Sequence, residues 1–194
     1  MPYEPVFPAA LQPLAFAILP TLRANEVAMA SPDGFSALVM GERLSAPYRV
    51  YYDTHALRSA VAGTPGDSRL LALCLGTRHW DGYVREECLR PLMDAERAWA
   101  APFIVQLLGE YVVEIAQAIL AALQQGYVAG LAEFVTDNPS FMATTRRRVV
   151  SYWHCYYRRD FPTLQEYPAH VALELVEKTA LGLPCTPRNV NTTV

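Results

Sequence analysis

The chain has 194 residues, 52% of them hydrophobic and 18% charged, with a formal net charge of −3 and a pI near 5.8. That balance is too apolar for a disordered chain, and the length can bury a core without metals or disulfides. Domains that work by broad phosphate contact are usually basic, so the charge disfavours general nucleic-acid binding.

Residues 1–66 read as the irregular N-terminal part of a single domain spanning 1–194. Val6 to Leu22 carries no charge and precedes Ala28-Met29-Ala30, which looks like a leader-cleavage site. Glu4 stands where such a leader needs a basic residue, and Pro8, Pro13 and Pro20 interrupt the apolar run, so a cytoplasmic protein is expected. Residues 14–30 are predicted as one or two short helices, interrupted or opened at Pro20. Ser31-Pro32-Asp33-Gly34 is a turn. Phe35, Leu38 and Val39 carry helical spacing over 35–44. Residues 47–52 are β-prone but lack an evident partner strand, which leaves an extended connector. Asp53 or Thr54 caps a short helix to about Val61, and a loop follows at 63–66.

Residues 67–183 read as the helical core. Leu70, Leu71, Leu73, Cys74 and Leu75 form an apolar helix ending near Gly76, followed by a turn at 78–82. A second helix carries Val84, Cys88, Leu89 and Leu92 on one face, with Arg85, Glu86 and Arg90 elsewhere. Pro91 should end or kink it. The cleanest three-and-four spacing in the chain runs from Trp99 through Phe103, Ile104, Leu107, Leu108, Tyr111, Val112 and Ile115 to Ile119, and it predicts a helix central to the domain. Gly109 either divides this run or sits inside one long helix. Residues 115–132 are uncharged, but Gln117, Gln124, Gln125, Gly126 and Gly130 make a poor bilayer span. No membrane association is therefore expected. A helix is predicted over 128–135, and another starts at Asp137-Asn138-Pro139 and runs to about Arg159. A last helix spans 168–181, with Val171, Leu175 and Val176 inward and Gly182 as its cap. Residues 184–194 read as a loose tail that holds Cys185 and an Asn191-Thr192-Thr193 glycosylation acceptor.

Cys74, Cys88 and Cys155 lie in apolar surroundings and read as buried, reduced thiols. None of the four cysteines forms a CxxC pair or a zinc-ligand spacing, so neither metal nor cofactor is expected.

A shift of 28 residues superposes Tyr83, Val84, Glu86 and Leu92 on Tyr111, Val112, Glu114 and Leu120, as if both were second helices of hairpins. Residues 70–93 resemble one HEAT-repeat unit: an apolar helix, a turn, then Asp81, Val84-Arg85, Cys88 and Leu92 in the pattern of the unit's second helix. The resemblance implies an all-α fold of HEAT-like stacked antiparallel hairpins and a scaffold for contacts.

Three clusters can carry function. Arg78, His79, Asp81, Arg85, Glu86 and Glu87 surround a turn. They can support acid–base or metal chemistry, or Asp81 can cap a helix while Arg85 bridges to a neighbour. Glu110 and Glu114, four apart, would share a helix face in the most apolar region. They either pair with Arg85 or the Arg146–Arg148 run or form a carboxylate pocket. The helix after Pro139 carries Arg146, Arg147, Arg148, Tyr152, Trp153, Tyr156, Tyr157, Arg158 and Arg159, a mixture typical of interface hot spots. Val149, Tyr152 and Tyr156 are predicted in the core, with Trp153 or Tyr157 exposed. The favoured expectation is a non-enzymatic protein-binding or adaptor scaffold using Arg147, Arg148, Trp153, Tyr157 and the 78–85 turn. The alternatives are a nucleic-acid binder similar to helical-repeat DNA glycosylases, and an enzyme centred on Glu110 and Glu114.

Overall fold

The computed structural model describes residues 5–182. The predicted tail, Cys185 and the Asn191 acceptor fall outside that range, as does Glu4. The described residues are mostly helical and carry one small two-stranded sheet. Among the described residues no helix is long and apolar enough to cross a membrane.

In place of the one or two short helices predicted over 14–30 stands α1 (Gln12–Ala24), which passes through Pro20 without breaking and stops well short of residue 30. The predicted helix over 35–44 is a hairpin instead, β1 (Gly34–Val39) and β2 (Glu42–Pro47), in antiparallel register with Phe35 opposite Ala46 and Val39 opposite Glu42. The period of two decides it. Phe35, Ala37 and Val39 are buried on one face, as are Leu44 and Ala46. Met40 and Gly41 both have positive φ, 52° and 79°, as a two-residue hairpin turn demands. The all-α expectation is corrected to that extent. Residues 48–52 remain extended. Val50 donates its N–H to the Arg78 carbonyl at 2.9 Å and accepts from Trp80 N–H at 3.1 Å, which pins the connector to the 77–81 turn.

Beyond the connector lie α2 (Thr54–Gly63), capped by Asp53, then α3 (Gly66–Gly76) and α4 (Gly82–Asp94). The last two pack as a hairpin. Pro91 does not end α4, which continues to Asp94 past the position where proline has no N–H to donate. Gly109 divides the long apolar run into α5 (Ala101–Leu108) and α6 (Val113–Gln124). Every residue of α5 is buried. The 28-residue shift therefore matches unlike structure: Tyr83 and Val84 lie in the first turn of α4, but Tyr111 and Val112 lie in the turn before α6.

The remaining helices, α7 (Leu131–Asp137), α8 (Pro139–Tyr152) and α9 (Pro168–Thr179), close around α5. A single π-turn over Trp153–Tyr157 extends α8. Asn138 does not cap α8 with its side chain. It clamps the hairpin instead, accepting from Leu38 N–H at 2.6 Å and donating to the Leu38 and Phe134 carbonyls. Phe35 completes the seam, meeting Phe141 edge-on at 5.6 Å and Phe103 at 6.0 Å. The hairpin is thus fixed to the bundle, and the segment leaving β2 runs directly beneath the 77–81 turn.

Candidate functional site

The turn before α4, the turn before α6 and the segment after β2 meet at Glu110. This carboxylate is buried, and three guanidinium groups converge on it. Arg49 grips it with both terminal nitrogens, Nη1 to Oε1 at 2.9 Å and Nη2 to Oε2 at 3.0 Å. Arg78 Nη1 donates to Oε1 at 3.0 Å. Arg85 Nε approaches Oε2 at 3.1 Å, an ion pair whose N–H direction misses the oxygen. Arg85 Nη1 donates to the carbonyls of His79 and Trp80 at 2.9 and 3.0 Å. Arg78 and Arg85 have no solvent exposure, and Arg49 keeps its side chain 23% exposed. Burial pushes the Arg78 guanidinium down to about 10. Glu110 opposes that fall, while Arg49 and Arg85 add to it.

The expected Glu110–Arg85 pairing is present, and Arg78 and Arg49 join it. The Arg146–Arg148 run does not supply the partner. Arg146 pairs with Glu177, Arg147 donates to Thr144 Oγ1, and Arg148 lies over the Tyr48 ring at 4.4 Å. Glu110 and Glu114 share no helix face, because Glu110 stands in the turn and Glu114 is exposed in the first turn of α6. The two-carboxylate pocket is therefore not formed. Arg49 was missed because a β-prone connector gives no sign of which charged residue faces inward.

His79 is buried with both ring nitrogens engaged. Nδ1 accepts from Asp81 N–H at 3.1 Å and Nε2 faces the Tyr52 carbonyl at 2.9 Å. A backbone N–H only donates and a carbonyl only accepts, so the ring carries its proton on Nε2 and has no lone pair left for a substrate. Asp81 caps α4, accepting from Tyr83 N–H at 2.9 Å. Asp81→Ala is expected to lower stability by about 1 kcal/mol in urea unfolding, the usual effect of losing such a cap. Glu86 pairs with Arg90 and Glu87 with Arg58, both toward solvent. Among the described residues no three His, Cys, Asp or Glu side chains gather as metal ligands.

The aromatic expectation is inverted in part. Trp153 is half-buried and donates to the Phe161 carbonyl at 2.9 Å. Tyr157 is half-buried, donates to the Tyr111 carbonyl and stacks on Tyr167 at 5.2 Å. Burial raises its hydroxyl pKa. Val149 is in the core as predicted, but Tyr156 is 65% exposed. Cys155 is exposed too, against expectation, whereas Cys74 and Cys88 are buried free thiols. Exposed Tyr111 and Tyr156 are linked through half-buried Tyr152. Tyr111 lies 6.2 Å from Tyr152, which stacks on Tyr156 at 6.1 Å. Beside them a groove of about 340 Å³ is lined by Tyr83, Tyr111, Tyr157, Val112, Asp81 and Glu114 among others. Tyr83 is 85% exposed and Tyr111 52%.

No family model, curated protein or solved structure matches this chain.

Proposed function

We propose that the chain is a non-enzymatic protein-binding scaffold, with α3–α4 as a HEAT-like unit and the tyrosine face as its contact surface. The observation that carries this reading is the exposure of Tyr83 and Tyr111 at one groove, with exposed Tyr156 next to it through Tyr152. Tyrosine offers large contact area with little rotamer freedom to lose, and it is enriched where partners meet. The charged groups that suggested chemistry are occupied inside the fold: His79 by two backbone groups, Asp81 by a helix end, Glu110 by three arginines. This moves the contact surface away from Arg78, His79, Arg85 and Trp153 and onto the neighbouring tyrosines. A reducing, cytoplasmic setting suits the two buried thiols, of which Cys88 is pushed up to about 12 by burial.

The test is a Tyr83→Ala, Tyr111→Ala double variant, checked for an unchanged melting profile and then compared with the unaltered protein against a stoichiometric partner recovered from the native host. Loss of two hot-spot residues should weaken the complex at least about 30-fold, roughly 2 kcal/mol. Equal affinity in the two proteins would remove the tyrosine face from the reading. Salt-sensitive retention on DNA, unaffected by the double variant, would replace it with nucleic-acid binding.

A further inference from the structure

Three carboxylates share the groove of about 340 Å³ with the tyrosines: Asp81, Glu86 and Glu114 stand among Tyr83, Tyr111 and Tyr157. No Lys, Arg or His lines it among the described residues. Glu86 is already paired with Arg90. Asp81 commits Oδ1 to the Tyr83 N–H at the start of α4. Glu114 is exposed and joins none of the ion pairs among the described residues. Three carboxylates less the one held by Arg90 leave two negative charges at the opening. Arg85 lies behind Gly82, its Nη2 3.5 Å from where a Cβ there would stand, but it is sealed from solvent and paired with Glu110.

The walls are aromatic and partly fixed. Tyr157 donates to the Tyr111 carbonyl and stacks on Tyr167, which ties two of the three tyrosine segments together. Burial raises the Tyr157 hydroxyl and Glu114 adds to that rise, so this carboxylate's charge acts beside the wall. Tyr83 is 85% exposed, and its ring can swing over the opening.

Aromatic faces attract cations, and carboxylates at their edge strengthen the attraction. The acids do not gather as a set of three metal ligands, so they suit a broad organic cation better than a metal ion. Phosphates and acidic peptides are repelled. Guanidinium meets both features at once, stacking by its face on a ring and forking by its edge onto a carboxylate.

We infer that the groove takes an arginine side chain of the bound protein, its guanidinium laid against the tyrosines and its N–H edge on the carboxylates of Glu114 and Asp81. The inference rests on the tyrosine face being the contact surface, and it gives the partner's chemistry: a basic segment.

The full chain, labelled with nitrogen-15, is titrated with an acetylated and amidated triarginine peptide at constant ionic strength. Saturable NMR shifts of the Gly82, Tyr83, Val112 and Glu114 amides are expected. Glu114→Gln should weaken binding about fivefold, the upper end for a solvent-facing ion pair. Asp94→Asn should not, since Asp94 is exposed at the far end of α4 and its loss changes the net charge equally. Tyr83→Ala should weaken binding about threefold, and Tyr83→Phe should not, because the ring face makes the contact. Trilysine should bind more weakly than triarginine. Three results each overturn the inference: no saturable shift at these amides, equal weakening by Glu114→Gln and Asp94→Asn, or trilysine binding as tightly as triarginine. The partner recovered from the native host separates this failure from failure of the tyrosine face. A complex weakened by the Tyr83→Ala, Tyr111→Ala double variant and untouched by Glu114→Gln keeps the face and rejects the arginine. A complex untouched by the double variant rejects both.

Discussion

Glu110→Gln should destabilise the protein by about 3–5 kcal/mol, the range for removing one partner of a buried ion pair. The reason is geometric as much as electrostatic. Gln keeps the size of Glu but replaces one acceptor oxygen with an NH2 group, and that group would face a guanidinium donor at about 3 Å whichever way the amide turned. Arg78 and Arg85 would lose the only carboxylate that pairs with them among the described residues while remaining out of water. The influence that most opposes deprotonation of Arg78 would also vanish. Glu114→Gln is the matched comparison: the carboxylate is four residues away and exposed, so its loss should stay within about 0.5 kcal/mol. Urea unfolding followed by circular dichroism gives both values from the shift in midpoint, provided the slope is unchanged. A change under about 1 kcal/mol for Glu110→Gln would mean that the cluster is neutralised by something other than this carboxylate.

What the sequence made legible follows from how local each signal is. Three-and-four spacing is written into neighbouring residues, and α3, α4, α6 and α9 fell close to where it put them. Asp53 and Asp81 could be read as caps because a cap acts within three residues of itself. Phe35, Leu38 and Val39 misled because a short stretch fits two periods at once, and only the pairing of Phe35 with Ala46 decides between them. Glu110 stood out because charge inside an apolar run is expensive wherever the chain goes. Of its partners only Arg85 was foreseen; Arg49 and Arg78 were not, since they come from segments 61 and 32 residues away, brought in by the connector and the 77–81 turn. Helical spacing also put Tyr156 with the core and left Trp153 or Tyr157 outside. The π-turn over Trp153–Tyr157 shifts the register of α8, so that Trp153 and Tyr157 pack and Tyr156 faces solvent. A five-residue change of helix type leaves no trace in an apolar pattern.

Gly130→Ala should cost about 3 kcal/mol or more, through two effects that add at one atom. Gly130 opens α7 with φ of +67°, a left-handed conformation that burdens an alanine by about 1–2 kcal/mol. Its missing Cβ would also stand 2.5 Å from the Ala98 Cα and 2.9 Å from the Ala98 carbonyl oxygen. Those are backbone atoms of the turn that leads into α5, so no side chain can rotate aside, and forced displacement of packed backbone adds about 1–3 kcal/mol. Either α7 lifts from the wall of the bundle or the entry to α5 shifts, and α5 is the helix against which α6, α7, α8 and α9 all pack. Gly63→Ala supplies the contrast. Gly63 ends α2, has no positive φ, and a Cβ there meets nothing within 4 Å. It should be neutral or gain up to about 1 kcal/mol, because alanine restricts the unfolded chain and favours helix. Thermal melts of the two variants should therefore move in opposite directions or leave Gly63→Ala unmoved. Equal melting of Gly130→Ala and the unaltered protein would show that the approach of α7 to Ala98 is looser than a 2.5 Å separation allows.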